Sequence, residues 1–145
     1  MPSAMEILSE KGTKVYTTSA DATVLEATRK MNQYHIGALV VMDGDQVAGI
    51  FTERDVLQRV VGERMGPADV SVGEVMTKKV VCAPPETDID ELSEIMRSQR
   101  VRHVPICDDD GKLMGVVSIG DVNAMHASHQ QATIHYLSEY IYGRI

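Results

Sequence analysis

Aromatic side chains and cysteine are scarce in this chain, and long hydrophobic runs are missing. The 145 residues include no Trp, one Phe, five Tyr and two Cys. So few aromatic rings leave few of the stacking surfaces that binders of single-stranded nucleic acid use. The longest uncharged apolar run covers residues 36–42, whereas a membrane-spanning helix needs roughly 20 apolar residues. We therefore expect a soluble protein without a membrane partner.

Basic residues are also few in this chain, and no secretion signal is apparent. The chain has 14 Lys and Arg residues against 21 Asp and Glu residues, and its formal net charge at pH 7 is −7. This sign disfavours contact with a phosphate backbone, so we expect no nucleic-acid partner. Cys82 and Cys107 lie far apart without a CxxC motif, and the chain does not open with a signal-peptide pattern. These features favour the reducing cytoplasm.

What the chain does have is the composition of a globular domain and an internal repeat. Hydrophobic residues make up 43% and charged residues 24% of the sequence. The pattern Val24-x6-Met31-x4-Ile36 recurs 65 residues later as Ile89-x6-Met96-x4-Val101. Gly49-Ile-Phe-Thr-Glu-Arg-Asp-Val56 likewise aligns with Gly115-Val-Val-Ser-Ile-Gly-Asp-Val122. Each copy has about 60 residues, a marginal size for a stable core, so we expect the two copies to pack as one domain.

Each copy predicts the same order of elements: a short strand, a helix, two strands joined by a turn, and a second helix. Apolar residues of the first helix recur on one face, and Asp and Gly mark the turns. The predicted first strands are 14–17 and 79–82, and the second helices begin at Thr52 and Ser118. The predicted hairpins pair 38–42 with 47–51, and 104–107 with 113–117. The fold class is therefore α+β.

The expected boundaries follow from these elements. We expect an N-terminal segment at 1–13, a first unit at 14–61, a linker at 62–78, a second unit at 79–128 and a C-terminal helical tail at 129–145. Apolar spacing predicts a long terminal helix from Asp121 to about Tyr142, broken near Ser128 and followed by Gly143. Two roles are open for the tyrosines of this tail, terminal packing or a dimer contact; they are Tyr136, Tyr140 and Tyr142.

The most informative spacing is Ser/Thr-x-x-Asp directly after the second strand of each hairpin, at Thr52/Asp55 and Ser118/Asp121. One interpretation is a helix cap, in which the hydroxyl accepts a hydrogen bond from the first turn and the carboxylate reaches back. The other is a nucleoside site, because an Asp carboxylate can accept hydrogen bonds from two adjacent ribose hydroxyls, beside a helix N-terminus that favours phosphate. The spacing leaves both open, and its recurrence favours the nucleoside site.

Together these features resemble a known family. The pattern Gly-apolar-apolar-Ser/Thr-x-x-Asp-apolar closes each copy, and Arg102-His-Val-Pro-Ile106 opens a strand. Over about residues 14–128 the chain is similar to a tandem pair of CBS domains, of the cystathionine beta-synthase type. The resemblance implies two pseudo-twofold-related units whose clefts bind AMP, ADP or ATP, with NAD or S-adenosylmethionine as alternatives. It also implies a homodimer that acts on an unidentified effector protein.

The resemblance further implies which residues line the two clefts. The first cleft would use Thr52, Arg54, Asp55, Val81, Val101, Arg102 and His103, and the second would use Tyr16, Ile36, Gly37, Ser118, Gly120 and Asp121. Because Arg54, Arg102 and His103 all belong to the first cleft, we expect that cleft to prefer charged nucleotides. Phosphate in the second cleft would depend on backbone N–H groups or on Lys11 and Lys14. The alternatives are a solvated surface Arg102 and a His103 satisfied within an edge strand.

No pattern of a catalytic or metal site accompanies these residues. The chain has no Gly-x-Ser-x-Gly motif, no P-loop and no Gly-x-Gly-x-x-Gly motif. No Cys or carboxylate completes a metal-ligand set with His126, His129 and His135 by sequence, so we expect no metal site. We therefore expect a non-catalytic regulatory module that needs no cofactor. The alternative is a scaffold protein with empty clefts, in which the Ser/Thr-x-x-Asp pairs only cap helices.

Overall fold

The amphipathic segments and hairpins of both copies form in the computed structural model, which describes residues 2–12 and 14–142. In the first half, α2 (Val24–Tyr34) buries its apolar face against a three-stranded sheet. Strand β1 (Thr17–Ser19) runs parallel to β2 (Ala38–Asp43), and β2 pairs antiparallel with β3 (Gln46–Thr52). One helical turn, α3 (Glu53–Asp55), then continues as a π-helix, Val56–Val61.

The second half repeats this arrangement with one strand fewer. Helix α5 (Ile89–Gln99) precedes the antiparallel pair β4 (His103–Cys107) and β5 (Leu113–Ser118), and α6 (Ile119–Tyr142) follows. Ile89, Leu92 and Met96 form the buried face of α5, as the repeat predicts. The structure therefore confirms the α+β class and the two related units.

The short helix that precedes each unit packs on the other unit. Helix α1 (Ala4–Lys11) buries Ile7 and Leu8 in the core of the second half. Helix α4 (Val72–Val75) is the corresponding helix of the second copy, and with Val70 it joins the core of the first half. The sequence prediction assigned these stretches to an N-terminal segment and a linker and did not recognise their contribution to the cores. Because each unit is completed by a helix from the other, the two halves form one module.

Two crossing segments, residues 4–11 (α1) and residues 72–77 (α4 and the two residues after it), explain the repeated Gly of each hairpin. A Cβ atom on Gly49 would lie 2.6 Å from the Thr77 carbonyl oxygen, and one on Gly115 would lie 2.6 Å from the Leu8 Cδ2 atom. Both separations are too short for non-bonded atoms. Gly at these positions therefore lets the crossing segment approach the sheet, and residue 77 reaches the strand that leads to Asp55.

Both predicted first strands need correction. Strand β1 begins at Thr17, whereas the sequence predicted 14–17. Residues 79–82 form no strand, and this stretch meets β4 only at an isolated parallel bridge between Ala83 and Ile106. A parallel ladder that continued toward residue 79 would need the Pro105 N–H group to donate to the Val81 carbonyl oxygen, and proline has no N–H group. Pro85 stops the ladder in the same way on the other side of the bridge.

The predicted break in the terminal helix is also wrong. Helix α6 continues through Ser128 to Tyr142. Neither Gly nor Pro occurs between Asp121 and Tyr142, so no residue in this stretch strongly opposes a continuous helix. Gly143 and the end of the predicted tail lie outside the described residues.

Candidate functional site

A cavity of about 590 Å³ lies where the two units meet. Its walls come from the turn between β3 and the following helix in the first half, and from the stretch that connects α5 to β4 in the second. A volume of several hundred Å³ is the usual size of a small-molecule site. The lining residues are Gly37, Ile50, Thr52, Glu53, Arg54, Asp55, Leu57, Gln58, Arg59, Thr77, Gln99, Arg100, Val101, Arg102 and His103.

Asp55 is the most buried charged group in this cavity wall, with 5% of its surface exposed. Its Oδ2 atom accepts hydrogen bonds from the Thr52 amide at 3.0 Å and the Thr52 hydroxyl at 3.3 Å. Its Oδ1 atom accepts one from the Thr77 hydroxyl at 3.4 Å and lies 3.8 Å from the Arg59 Nε atom. The capping interpretation of Thr52 and Asp55 is therefore correct, and the crossing segment adds a third contact that the spacing did not predict.

Four arginines line the cavity, in a chain whose net charge is −7. Arg59 has a structural role, because its Nη1 atom donates to the Val75 and Met76 carbonyl oxygens at 3.1 Å each. Arg54, Arg100 and Arg102 make no side-chain hydrogen bond or ion pair within the part of the chain whose side chains the structure describes. These three guanidinium groups give the cavity an excess of positive charge that suits an anionic ligand.

Arg100 reaches the cavity through an unusual backbone conformation. It ends α5 with φ at 55°, in the left-handed region that non-glycine residues seldom adopt. His35, which ends α2 at the corresponding position of the first copy, has φ at 53°. The repeat therefore extends to this turn. Arg100 directly precedes Val101, a predicted cleft residue, but the sequence analysis did not include Arg100. The other lining residues that it missed include Arg59, which is four residues after Asp55.

His103 is a neutral group rather than part of a cation pair. Burial lowers the pKa of its imidazole below the usual value of 6.5, and the positive charges of Lys11 and Arg102 also lower it, against the opposing effects of Asp121 and Glu53. At neutral pH the ring therefore offers one N–H donor and one acceptor nitrogen. Of the three residues expected to favour charged nucleotides, Arg54 and Arg102 therefore supply the positive charge at neutral pH, and His103 supplies hydrogen-bonding groups.

The residues of the second predicted cleft are arranged differently. The Ser118 amide donates to the Asp121 Oδ2 atom at 2.8 Å, and the Lys11 ammonium group donates to the same oxygen at 2.7 Å. Burial tends to raise the pKa of Asp121, but hydrogen bonds from Lys11 and Ser118 and the Lys11 charge lower it overall. Lys11, considered above as a phosphate ligand, is thus paired with the carboxylate of this cleft.

The remaining residues of the two predicted sets divide as follows. Gly37, grouped with the second cleft, lies on the wall of the main cavity, where its carbonyl oxygen accepts from the Glu53 amide at 3.1 Å. Val81 lines a small adjacent cavity that shares Val101 and His103 with the main one. Tyr16 stacks on Tyr34 with ring centroids 4.2 Å apart. Neither Ile36 nor Gly120 lines the main cavity.

No group of three or more His, Cys, Asp or Glu side chains that could hold a metal ion occurs among the described residues. On the tail, the His126 Nε2 atom lies 3.2 Å from the Asp90 Oδ1 atom, which forms a pair rather than a ligand set. In the described part of the chain, no helix has the length and apolar character needed to cross a membrane.

Comparison with known proteins identifies relatives of the whole module. The family model described as "CBS domain" matches residues 4–62 and 72–124, so both matches include the crossing helices. The protein CBSX3, mitochondrial, of Arabidopsis thaliana is 36% identical over 93% of this chain and 67% of its own length. A CBS-domain-containing protein from Agrobacterium tumefaciens has a TM-score of 0.81 and 39% identity, over 86% of this chain and 99% of that one. The hexameric CBS-CP12 protein from bloom-forming cyanobacteria has a TM-score of 0.74 and 27% identity, over 84% of this chain and 69% of that one.

Proposed function

This chain belongs to the CBS-domain family, and on that premise we propose that it is a non-catalytic regulatory module that binds AMP, ADP or ATP in the cavity around Asp55. The proposal rests on the juxtaposition, in one cavity of about 590 Å³, of a buried carboxylate and three arginines that have no partner among the described side chains. A nucleotide has chemically matching groups, since its ribose hydroxyls are donors and its phosphate is an anion. The cytoplasmic location expected from the sequence remains part of this proposal.

The bound nucleotide places its ribose hydroxyls at Asp55. Each oxygen of a carboxylate has two lone pairs, so the hydrogen bonds from Thr52 and Thr77 leave one acceptor position, on Oδ1, for a ribose hydroxyl. The phosphate lies toward Arg54 and Arg102, where charge-assisted hydrogen bonds form. The base occupies the apolar part of the wall, at Ile50 and Val101. A nucleotide in the cavity contacts residues of both units and so favours one arrangement of the two halves. That arrangement is the signal that an effector protein recognises.

The cleft at Asp121 is a weaker site in this proposal. The Lys11 ammonium group already pairs with the Asp121 Oδ2 atom, so its positive charge is less available to the phosphate of a ligand there. The site accepts adenosine, or the uncharged end of a larger ligand such as NAD or S-adenosylmethionine, less readily than the first cavity accepts AMP. We therefore expect one nucleotide per chain at low concentration.

A scaffold protein with an empty cavity is the second candidate function. It is favoured by the two Thr52 contacts and the Thr77 contact of Asp55, which satisfy this carboxylate without a ligand. The two candidates differ in how the protein responds to nucleotides. Nucleotides leave the stability of a scaffold with an empty cavity unchanged. A ligand that binds the folded protein and is present at 100 times its dissociation constant stabilises the fold by about 2.7 kcal/mol.

Thermal unfolding of the purified protein with each of four ligands tests the proposal. AMP, ATP, NAD and S-adenosylmethionine are compared at millimolar concentration with adenosine and inorganic phosphate as controls. We expect AMP or ATP to raise the unfolding temperature by several degrees, and phosphate alone to have little effect. No shift with any of the four ligands would favour the scaffold.

The homodimer is a further part of the proposed function. Leu57 and Val61 after α3 are 66% and 63% exposed, and Met65 nearby is 46% exposed. An apolar patch of this kind on a soluble protein commonly marks an interface. The hexameric cyanobacterial relative supports assembly of such modules. We therefore propose that a second copy of the chain covers this patch.

A further inference from the structure

The two cysteines, 25 residues apart in the sequence, are neighbours in the structure. Ala83 forms two backbone hydrogen bonds with β4, from its amide to the Pro105 carbonyl at 2.9 Å and from the Cys107 amide to its carbonyl at 3.0 Å. In this parallel register, Cys82 lies opposite Pro105 and Cys107 lies opposite Pro84, so the two cysteines are diagonal neighbours on the same face. The side chains of the two cysteines are close enough to interact. A disulfide between them requires the stretch that carries Cys82 to move closer to β4.

The two thiols differ in their surroundings. Cys82 is exposed, whereas Cys107 is buried with 6% of its surface accessible. Burial and the contact with Cys82 raise the pKa of Cys107 to about 12, so this thiol is protonated at neutral pH. Cys82 is thus the thiol that a reagent in solution can reach directly. Cys107 is positioned to react only with a sulfur already attached to its neighbour.

The stretch that carries Cys82 is loosely attached to its unit. In the first half, β1 pairs with β2 through three residues, whereas residues 79–82 form no strand and are held to β4 by the single bridge at Ala83. A stretch with so few backbone hydrogen bonds can adjust its position at little cost. Lys79, Val80 and Val81 line the small cavity that adjoins the main one.

We propose that Cys82 and Cys107 form a reversible intramolecular disulfide that fastens residues 79–82 to β4. The structure holds the reduced form of this pair. The oxidised form fixes the wall of the small cavity through a covalent bond, and so gives the module an input that is separate from any nucleotide. In a reducing compartment, disulfides are usually of this transient, sensing type.

The chemistry requires an oxidant, for which we name a small-molecule disulfide such as oxidised glutathione. The Cys82 thiolate attacks one sulfur of this disulfide, and the bond between its sulfurs breaks with release of one thiol. The Cys107 thiol then loses its proton and attacks the Cys82 sulfur, and the second small thiol leaves. The two protein thiols are oxidised to one disulfide, and the oxidant is reduced to two thiols that take up the two protons.

The test exposes the full chain to glutathione buffers of defined ratio and then blocks the remaining thiols with an alkylating reagent. Intact mass should show a monomeric chain that has lost two hydrogen atoms and carries no alkyl group. The disulfide closes a loop of about 25 residues, so we expect the unfolding temperature to rise by about 5 °C or more and to return to its original value with dithiothreitol. Amide exchange at Val80 and Val81 should be slower in the oxidised form.

Cys82→Ser and Cys107→Ala are the matched control variants, and neither should gain stability from oxidation. A glutathione adduct that persists on wild-type Cys82 would overturn the proposal, and so would a disulfide between two chains. Formation of the bond without any change in exchange at residues 80 and 81 would show that the stretch is not fastened, which also contradicts the proposal. None of these measurements uses a nucleotide, so their outcome is independent of the proposed ligand.

Discussion

At the scale of single residues, the asymmetry of the two clefts rests on which side chains follow α2 and α5. The second copy has Arg102 and His103 between α5 and the start of β4, whereas the first has Gly37 and Ala38 at the corresponding positions. Replacing both residues of the second copy, as Arg102→Gly with His103→Ala, should remove the preference for AMP over adenosine. Charge-assisted contacts with phosphate contribute roughly 1.5–3 kcal/mol when shielded, and less at an exposed group such as Arg102.

Titration calorimetry with AMP and adenosine measures this preference directly. We expect about a tenfold loss of AMP affinity in the double variant, with adenosine affinity nearly unchanged. The variant Arg29→Gly, which changes an arginine outside the cavity lining, is a control for the loss of one positive charge. If wild-type protein binds AMP and adenosine equally well, neither residue is a phosphate ligand.

The protonation of His103 gives a second prediction at this scale. Because burial lowers the pKa of this imidazole, the folded protein holds it neutral at pH values where an unfolded chain begins to protonate it. The corresponding contribution to stability is complete well above pH 6.5 and decreases as the pH falls below that value. NMR titration should place the His103 midpoint below 6.5 in the free protein and higher when AMP is bound. A midpoint at or above 6.5 in the free protein would contradict the burial argument.

At the scale of elements, the module depends on the close approach of residue 77 to β3. The Ile50 amide donates to the Thr77 carbonyl at 3.0 Å, and Gly49 beside it leaves no room for a methyl group. The change Gly49→Ala should therefore shift the crossing segment and lower the free energy of unfolding by about 1–3 kcal/mol. Urea denaturation measures the loss.

Gly120→Ala is the matched control for that substitution. A Cβ atom on Gly120 would meet only the Ser118 Oγ atom, at 3.6 Å, which is an ordinary contact. Because Gly120 lies in the first turn of α6, alanine there should be neutral or slightly stabilising. Equal effects of the two substitutions would show that the approach of Thr77 does not hold the units together.

The elements also show what could be read from the sequence and what could not. Apolar periodicity predicted α2, α5 and both hairpins, because these depend on residues close together in the chain. The crossing of α1 and α4 between units was not predictable in this way, since Leu8 and Val72 find their partners far away in the sequence. For the same reason the spacing of Thr52 and Asp55 predicted a cap, whereas the contacts of Asp55 with Thr77 and of Asp121 with Lys11 needed the structure.

At the scale of the whole molecule, the exposed patch formed by Leu57, Val61 and Met65 predicts self-association. Light scattering at micromolar concentration should give about 32 kDa, twice the 15.9 kDa of the chain. The paired change Leu57→Glu with Val61→Glu should reduce this to the mass of one chain, because two carboxylates would be desolvated in the interface. The same changes at exposed Ile134 and Leu137 of the tail test whether the tail contributes instead. A mass of about 16 kDa for the wild-type protein would refute the dimer.

The central claim is that this module binds an adenine nucleotide at Asp55, and a paired calorimetric titration tests it most directly. AMP is titrated into wild-type protein, Asp55→Ala and Asp121→Ala, with folding of each variant verified by its unfolding curve. If Asp55 accepts a hydrogen bond from a ribose hydroxyl, Asp55→Ala should weaken AMP binding by about 1.5–3 kcal/mol, whereas Asp121→Ala should leave the first binding event unchanged. If Asp55 only caps the helix, the Asp55→Ala variant will be less stable but will bind AMP as the wild-type protein does, and that result would contradict the account.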